Sequence, residues 1–360
     1  MDALDKARAE IDAVDAQLAA LFERRMAAVL AVAEYKKAHG LPIFDAAREA
    51  VVLDKAAARI QEPALRPYYR DHVQNMMDVA KQYEAAVLGR NRAAYQGVEG
   101  AFAHIALKAL FPHAEAISYP TWDEVFDAVE RGDASHGVVP FENSHAGDVS
   151  AVLDLCYNHP DLWVVDVYDL PISQNLLVLP GTQLNELKMV YSHQQAIAQS
   201  ETFLRQFHLP ATAMPNTAMA AELVARSDRR DVAALSSRAC AGLYGLDVLE
   251  SDVQDTDHNY TRFIVISSQP QVFPGATRTS LMLTVNHEPG SLYRVLERFY
   301  ALDVNLVKLE SRPIPGRDFE FMFYFDLDCP AGSRPLDVLL DALDDVCERC
   351  TYFGTYTEVV

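Results

Sequence analysis

The chain has 360 residues, 50% of them hydrophobic, which is enough apolar material for the cores of two or three domains. Its formal net charge of −20 argues against nucleic acid as a partner, because a basic face that could neutralise phosphates is not available. The acidic start, Met1-Asp2-Ala3-Leu4-Asp5, is unlike a signal peptide, and no apolar run reaches the roughly 18 residues of a membrane span. Because the five cysteines also suit a reducing compartment, we expect a cytoplasmic protein that does not enter a membrane.

The first quarter of the chain is predicted to be helical throughout. Residues 4–38 contain neither glycine nor proline and predict one long helix that ends before Gly40. A second helix is predicted from Asp45, whose side chain can cap it, to about Gln61. A third is predicted over residues 67–88. This order of elements indicates an all-α domain.

The first helix carries an apolar stripe with coiled-coil spacing, and three cations interrupt it. The stripe consists of Leu4, Arg8, Ile11, Asp15, Leu18, Phe22, Arg25, Val29, Val32 and Lys36. Unpaired cations on a buried face are costly, so they require either carboxylates of the protein or an anionic ligand. Arg8 and Lys36 are about 42 Å apart along a straight helix, so one small ligand can contact both only if a second chain supplies Arg8. This predicts an intertwined symmetric dimer.

These charged residues resemble those of the all-helical chorismate mutase family. Asp45-Ala46-Ala47-Arg48-Glu49 fits its Asp-x-x-Arg-Glu motif, Glu84 stands where the family has Gln or Glu, and Ala80 stands where some members carry serine. The resemblance implies that the substrate is bound by Arg8, Arg25, Lys36, Asp45, Arg48, Glu49 and Glu84, among which Arg25, Lys36 and Glu84 are catalytic.

The implied chemistry makes a prediction about pH. Rearrangement of chorismate to prephenate needs fixed cations rather than a nucleophile. Lys36 can donate a hydrogen bond to the breaking ether oxygen whenever it is charged, whereas Glu84 can donate one only when protonated. We therefore expect mutase activity to fall as the pH rises and Glu84 loses its proton, and Glu84→Gln to flatten this profile. An unchanged pH–rate profile in the Gln variant contradicts the role of Glu84.

Residues 93–268 alternate short β-rich runs with helical segments, which predicts an α/β domain. The predicted strands include 135–139, 176–179, 189–191, 232–235 and 263–267. Several segments resemble prephenate dehydratases: Gln96–Ala103, Val139-Pro140-Phe141-Glu142-Asn143-Ser144, Tyr191-Ser192-His193-Gln194-Gln195, Asn216-Thr217-Ala218 and Thr261-Arg262-Phe263. The resemblance implies two lobes around a cleft, as in periplasmic binding proteins.

In that family a hydrogen-bond donor assists departure of the ring hydroxyl of prephenate, and the resemblance gives this catalytic role to Thr261. It also implies that the cleft is lined by Glu142, Asn143, Ser144, Ser192, His193, Gln195, Thr217, Thr261, Arg262 and Phe263.

Residues 277–360 are predicted to follow the order β-α-β-β-α-β, which is the ferredoxin-like arrangement. Their Glu-Ser-Arg-Pro tetrapeptide resembles a signature of the amino-acid-sensing ACT domain. The resemblance implies a site for L-phenylalanine formed by Gly290, Ser291, Leu292, Asn305, Glu310, Ser311, Arg312 and Pro313.

The three regions, residues 1–90, 93–270 and 277–360, follow the order of the bifunctional chorismate mutase/prephenate dehydratases with an ACT domain. The resemblance implies feedback inhibition by phenylalanine, a homodimer or tetramer, and no metal or other cofactor. Two alternatives stay open. The cleft and the C-terminal domain could bind small molecules without chemistry, or the helical region could serve only for dimerisation. Turnover of prephenate would exclude the first alternative, and turnover of chorismate the second.

Overall fold

The computed structural model describes residues 3–39, 46–87, 91–272, 275–314, 317 and 320–359. The chain forms two compact units, Met1–Arg92 and Ala93–Val360. Among the helices that the structure describes, none combines the length and apolarity needed to cross a bilayer.

The first unit contains three α-helices: α1 (Ala3–His39), α2 (Ala46–Arg59) and α3 (Arg66–Val87). These bounds confirm the predicted helices to within a few residues. A one-turn 3-10 helix, Pro63–Leu65, precedes α3. The small core lies between α2 and α3, where Leu53 and Ala56 pack with Val73 and Met77.

Most of the apolar stripe of α1 is exposed among the described residues of the first unit. Met26 and Ala33 are buried, but the stripe residues Leu4, Ile11, Leu18, Phe22 and Val32 are 42–58% exposed. The stripe is therefore exposed in the single chain, and its burial in a dimer stays a prediction. The physical reason is that the core between α2 and α3 is too small to cover a helix of 37 residues.

The second unit begins with two α/β lobes. The strands of the first lobe are β1 (Arg92–Gln96), β2 (Glu115–Tyr119), β3 (His136–Asn143), β4 (Gly147–Asp148), β5 (Trp163–Pro171) and β11 (Tyr260–Ser267). Those of the second lobe are β6 (Asn175–Val178), β7 (Met189–His193), β8 (Ala211–Met214), β9 (Val232–Ser236) and β10 (Asp247–Glu250). The helices of the lobes are α4 (Phe102–Leu110), α5 (Trp122–Glu130), α6 (Ser150–Asn158), α7 (Gln194–Ala198), α8 (Glu201–Gln206), α9 (Thr217–Arg226) and α10 (Arg238–Tyr244).

The chain crosses between the lobes twice, after β5 and before β11. The sheet of the second lobe has the order β10-β6-β9-β7-β8. In the first lobe, β11 returns antiparallel between β5 and β3, and β4 pairs with β3. The end of β3 and the start of β11 therefore lie side by side where the lobes meet, with Asn143 paired to Thr261.

The C-terminal region has the predicted β-α-β-β-α-β order. It consists of β12 (Arg278–Thr284), α11 (Ser291–Ala301), β13 (Asn305–Pro313), β14 (Phe321–Asp328), α12 (Arg334–Asp344) and β15 (Arg349–Tyr356). The antiparallel sheet has the order β13-β14-β12-β15. One face, including Leu281 and Phe325, packs on α11 and α12. The other face, including Met282 and Tyr324, shares a core with the first lobe.

The predicted last strand, residues 352–359, is divided. β15 ends at Tyr356, and the short strand β16 (Glu358–Val359) pairs in parallel with β5 of the first lobe. The same edge carries a close backbone approach at Gly354. Its φ of 142° is one that residues with a side chain rarely adopt, and a Cβ there would overlap the carbonyl oxygen of Val164.

We expect Gly354→Ala to lower the free energy of unfolding of the second unit by about 1–3 kcal/mol, because β15 must move away from β5. Chemical denaturation measures this loss. Gly132→Ala is the matched control: Gly132 also has positive φ, but a Cβ there meets nothing within 4 Å. Equal losses in the two variants would show that the close approach to Val164 contributes nothing.

Candidate active sites

The first candidate site is a cavity of about 300 Å³ within the helical unit. All three helices contribute side chains to it. It is lined by Arg25, Ala28, Val29, Val32, Lys36, Arg48, Val52, Met77, Ala80, Lys81 and Glu84.

Four of the seven predicted mutase residues meet in this cavity: Arg25, Lys36, Arg48 and Glu84. The Lys36 ammonium lies 3.9 Å from a carboxylate oxygen of the buried Glu84. The Arg25 guanidinium donates to the Met76 carbonyl oxygen at 3.4 Å, which attaches α1 to α3.

The other three predicted mutase residues are not placed in the cavity. Arg8 is exposed on α1, about eight helical turns from Lys36 at about 3.6 residues per turn. Asp45 lies outside the described residues, and Glu49 is described only as part of the backbone of α2.

Lys81 is a cavity residue that was not predicted from the sequence. Its ammonium lies 2.8 Å from a carboxylate oxygen of Asp78, one turn earlier on α3. Lys81 follows Met77 by four residues, which places both on one face of the helix. That spacing could have identified it. The cavity therefore combines four cations, Arg25, Lys36, Arg48 and Lys81, with one carboxyl group, an arrangement suited to a small dianion.

The second candidate site lies where the two lobes meet, and Asn143 is at its centre. The Asn143 side-chain oxygen accepts hydrogen bonds from the backbone N–H groups of His145 and Ala146, at 3.1 and 3.0 Å. It also accepts one at 3.2 Å from the Gln195 amide nitrogen of the second lobe. Because backbone N–H groups can only donate, the orientation of the Asn143 amide is determined.

The Asn143 amide nitrogen consequently faces Thr261. It lies 3.0 Å from the Thr261 hydroxyl oxygen and 3.0 Å from the Tyr260 carbonyl oxygen. An amide nitrogen is a donor only, so the Thr261 oxygen accepts in this hydrogen bond. The hydroxyl hydrogen of Thr261 is not used by Asn143 and can be donated to a ligand.

Two further residues extend this amide network, and neither was predicted from the sequence. The buried Asn259 accepts from the Asn143 amide nitrogen at 3.0 Å and donates to the side-chain oxygen of Gln199 at 3.0 Å. Gln199 belongs to the second lobe, so the network joins both lobes to Thr261. Asn259 stands two residues before the Thr261-Arg262-Phe263 motif, and this proximity was the available signal for it. Gln199 had no comparable signal.

Two predicted cleft residues of the second lobe have structural partners, and a third is buried at the start of a helix. Ser192 is fully buried and donates to the Leu235 carbonyl oxygen at 2.7 Å. His193 caps α7, accepting from the Gln195 N–H at 3.3 Å, and burial lowers the pKa of its imidazole. Thr217 is the buried first residue of α9, where the Asn216 side chain accepts from the Met219 N–H at 2.7 Å.

In the first lobe, the predicted residues Arg262 and Phe263 adjoin Thr261 in β11. The Nε and Nη2 atoms of the Arg262 guanidinium each lie 2.8 Å from a carboxylate oxygen of Asp169, the residue opposite Arg262 on β5. This ion pair joins two strands. Phe263 is in the core.

Ser144 connects β3 to the segment before β11. Its hydroxyl donates to the His258 carbonyl oxygen at 3.1 Å and accepts from the Tyr260 N–H at 3.0 Å. Glu142, another predicted cleft residue, lies 2.7 Å from the Lys308 ammonium of the C-terminal region.

The predicted effector residues lie on two elements of the C-terminal region. Gly290 and Ser291 form the start of α11, followed by Leu292, and Gly290 has a φ of 84°. Asn305, Glu310, Ser311 and Pro313 lie along β13, the edge strand of the sheet. Arg312 is also on β13, but its guanidinium donates to the carboxylate of Asp154 on α6, from Nε at 3.1 Å and from Nη2 at 2.8 Å.

A cavity lined with cations and a two-lobed cleft with an ordered amide network define an enzyme that acts on small anionic substrates. A family model described as prephenate dehydratase matches residues 93–271, and one described as chorismate mutase type II matches residues 7–85. The chain belongs to the prephenate dehydratase family, in the bifunctional form that also has chorismate mutase activity.

The relatives differ in how much of the chain they match. A bifunctional chorismate mutase/prephenate dehydratase of Aquifex aeolicus is 29% identical over 100% of this chain and 99% of its own. Arogenate dehydratase/prephenate dehydratase 6 of Arabidopsis thaliana is 35% identical over 81% of this chain and 75% of its own. A prephenate dehydratase of Arthrobacter aurescens, solved in complex with L-Phe, is 27% identical with a TM-score of 0.69, and the match covers 74% of this chain and 90% of that one.

Proposed function

We propose that this bifunctional enzyme converts chorismate to phenylpyruvate in two steps and that L-phenylalanine inhibits the second step through the C-terminal region. The observation that carries the proposal is the joint presence of a four-cation cavity and of a threonine hydroxyl ordered by Asn143. The C-terminal region supports the regulatory part by its ferredoxin-like sheet order and its Glu310-Ser311-Arg312-Pro313 segment. The L-Phe complex of the Arthrobacter aurescens relative supports it as well.

In the mutase step, Arg25 and Arg48 hold the substrate carboxylates so that the two reacting carbons approach in a chair-like geometry. Lys36 donates a hydrogen bond to the ether oxygen as its bond breaks, and Glu84 donates one when it carries a proton. Lys81 adds positive potential. All bonds are exchanged within the substrate, so no nucleophile is required.

In the dehydratase step, the bond between the ring and its carboxylate breaks and releases CO₂. The electron pair of that bond completes the aromatic ring while the ring hydroxyl leaves as water, and one proton is taken up. Thr261 donates a hydrogen bond from its hydroxyl to the departing oxygen, and Asn143 holds the Thr261 oxygen in place. Asn259 and Gln199 keep the Asn143 amide oriented.

The choice of prephenate over arogenate follows from the chain itself. Some relatives are named arogenate dehydratases, but this chain carries a mutase domain, and the mutase produces prephenate. We therefore expect a higher kcat/KM for prephenate than for arogenate. A higher kcat/KM for arogenate would contradict this expectation, because the dehydratase would then prefer a substrate that the mutase does not produce.

We also propose a homodimer or tetramer in which a second chain covers the exposed stripe of α1 and supplies Arg8 to the cavity. The free thiols of all five cysteines suit a cytoplasmic location.

A coupled assay tests the whole proposal. Purified protein receives chorismate, and both chorismate loss and phenylpyruvate formation are followed with and without millimolar phenylalanine. We expect both signals, with phenylalanine suppressing the second. Phenylpyruvate formation that phenylalanine does not alter would contradict the regulatory role of the C-terminal region.

A further inference from the structure

Lys308 of β13 lies against the dehydratase lobe, far in sequence from the residues that it contacts. Its ammonium is 2.7 Å from a Glu142 carboxylate oxygen, contacts the Asp148 carboxylate, and lies 5.5 Å from the centre of the Phe141 ring. Its side chain is only 16% exposed. Lys308 is therefore enclosed by one hairpin of the first lobe, formed by β3 and β4.

The two carboxylates lie directly opposite each other in that hairpin. Glu142 of β3 pairs with Asp148 of β4, and the next pair is Asn143 with Gly147. Like charges on directly opposed residues destabilise a strand pair. Lys308 contacts both carboxylates and so offsets their repulsion.

The same hairpin carries the centre of the dehydratase site. Asn143 follows Glu142 immediately, and the turn from Asn143 to Gly147 supplies the two backbone N–H groups that orient the Asn143 amide. Opening of the pair between Glu142 and Asp148 would displace this turn. Asn143 would then lose its position beside Thr261.

We propose that Lys308 is a positioning residue for the dehydratase reaction: its ammonium, supplied by the C-terminal region, holds the Glu142–Asp148 pair closed and so keeps Asn143 in contact with Thr261. This inference rests on the proposed roles of Asn143 and Thr261. It also assigns the C-terminal region a part in catalysis that does not depend on an effector.

Lys308 would connect β13, the strand that carries most of the predicted effector residues, to catalysis. Lys308 precedes Glu310 by two residues on β13, so a displacement of this strand moves the ammonium relative to the hairpin. If phenylalanine inhibits through β13, Lys308 is the contact through which the inhibition reaches Asn143.

The test compares dehydratase kcat/KM of full-length variants with prephenate as substrate. We expect Lys308→Met to lower kcat/KM by about tenfold or more, since small displacements of positioning groups have effects of this size. Lys308→Arg retains the charge and is expected to retain most of the activity. Mutase activity and the melting temperature serve as checks on folding.

A double variant distinguishes repulsion between the Glu142 and Asp148 carboxylates from the loss of Lys308 packing. Asp148→Asn removes one of the two opposed charges, so Lys308→Met combined with Asp148→Asn is expected to recover most of the lost activity. Asp154→Asn is the matched control, because it breaks the ion pair between β13 and α6 without touching the hairpin, and we expect wild-type activity.

Three results would overturn the proposal: wild-type activity in Lys308→Met, no recovery in the double variant, or an equal loss in Asp154→Asn.

Failure of the proposed dehydratase site gives a different result, because the Thr261→Val variant would then retain dehydratase activity. Failure of the proposed regulation would appear as a wild-type enzyme that phenylalanine does not inhibit, whatever the behaviour of Lys308→Met. Where the wild type is inhibited, an unchanged response to phenylalanine in Lys308→Met excludes this contact as the route.

Discussion

Mixing Arg8→Ala chains with Lys36→Met chains is expected to restore mutase activity that neither variant has alone. Each substitution removes a cation from the proposed site, and loss of one such group typically costs about 10²–10³ in kcat. If a partner supplies Arg8, a mixed dimer has one site with both cations intact and one site with neither. Mixed dimers isolated through two different affinity tags should then have about half the wild-type rate of chorismate loss.

The cavity supplies a matched control for this experiment. Arg25 and Lys36 line the cavity of one and the same chain. Mixed dimers of Arg25→Ala and Lys36→Met chains therefore have no intact site and should stay inactive. Restoration in both mixtures, or in neither, would contradict delivery of Arg8 by a second chain.

Thr261→Val is expected to lower dehydratase kcat by about 10²–10³ while chorismate loss continues at the wild-type rate, because a well-placed hydrogen-bond donor contributes about this much. Valine keeps the volume of threonine but removes both the donor and the oxygen that accepts from Asn143. The Asn143 amide keeps the Asn259 side-chain oxygen and the Tyr260 carbonyl oxygen as acceptors, so we expect the fold to persist.

Thr261→Ser tests whether the hydroxyl is the group that matters. Serine offers the same donor with more rotational freedom, so we expect it to retain activity within about tenfold of the wild type. Phenylpyruvate formation from added prephenate measures both variants. A Thr261→Val enzyme that forms phenylpyruvate at the wild-type rate would refute the donor role.

Helices and strands that depend on short-range sequence patterns could be predicted well. The helix over residues 4–38 follows from its periodicity and from its lack of glycine and proline, and α1 extends over Ala3–His39. The C-terminal order of strands and helices was also predicted, because β-rich runs alternate there with amphipathic segments. The convergence of Arg25, Lys36, Arg48 and Glu84 followed from helical spacing and the resemblance together.

Contacts between distant segments could not be predicted. The Asn143 amide reaches Asn259 across 116 residues, and Lys308 reaches Asp148 across 160 residues. Such contacts depend on how the lobes and the C-terminal sheet pack, and no local spacing encodes that. The same reason applies to Arg312, whose motif indicated an effector site and whose guanidinium lies on Asp154.

The sequence by itself determined the succession of an all-helical region, an α/β region and a ferredoxin-like region, because backbone preferences and apolar periodicity act over short distances. It also determined which residue types are available for binding a dianion. Only the tertiary structure decided which way those groups are oriented. The turn after β3 orients the Asn143 amide toward Thr261 on the neighbouring strand, and packing of the C-terminal sheet places Lys308 between two opposed carboxylates. Hydrogen bonds and charges act over a few ångströms, so their partners are set by the packing of the folded chain.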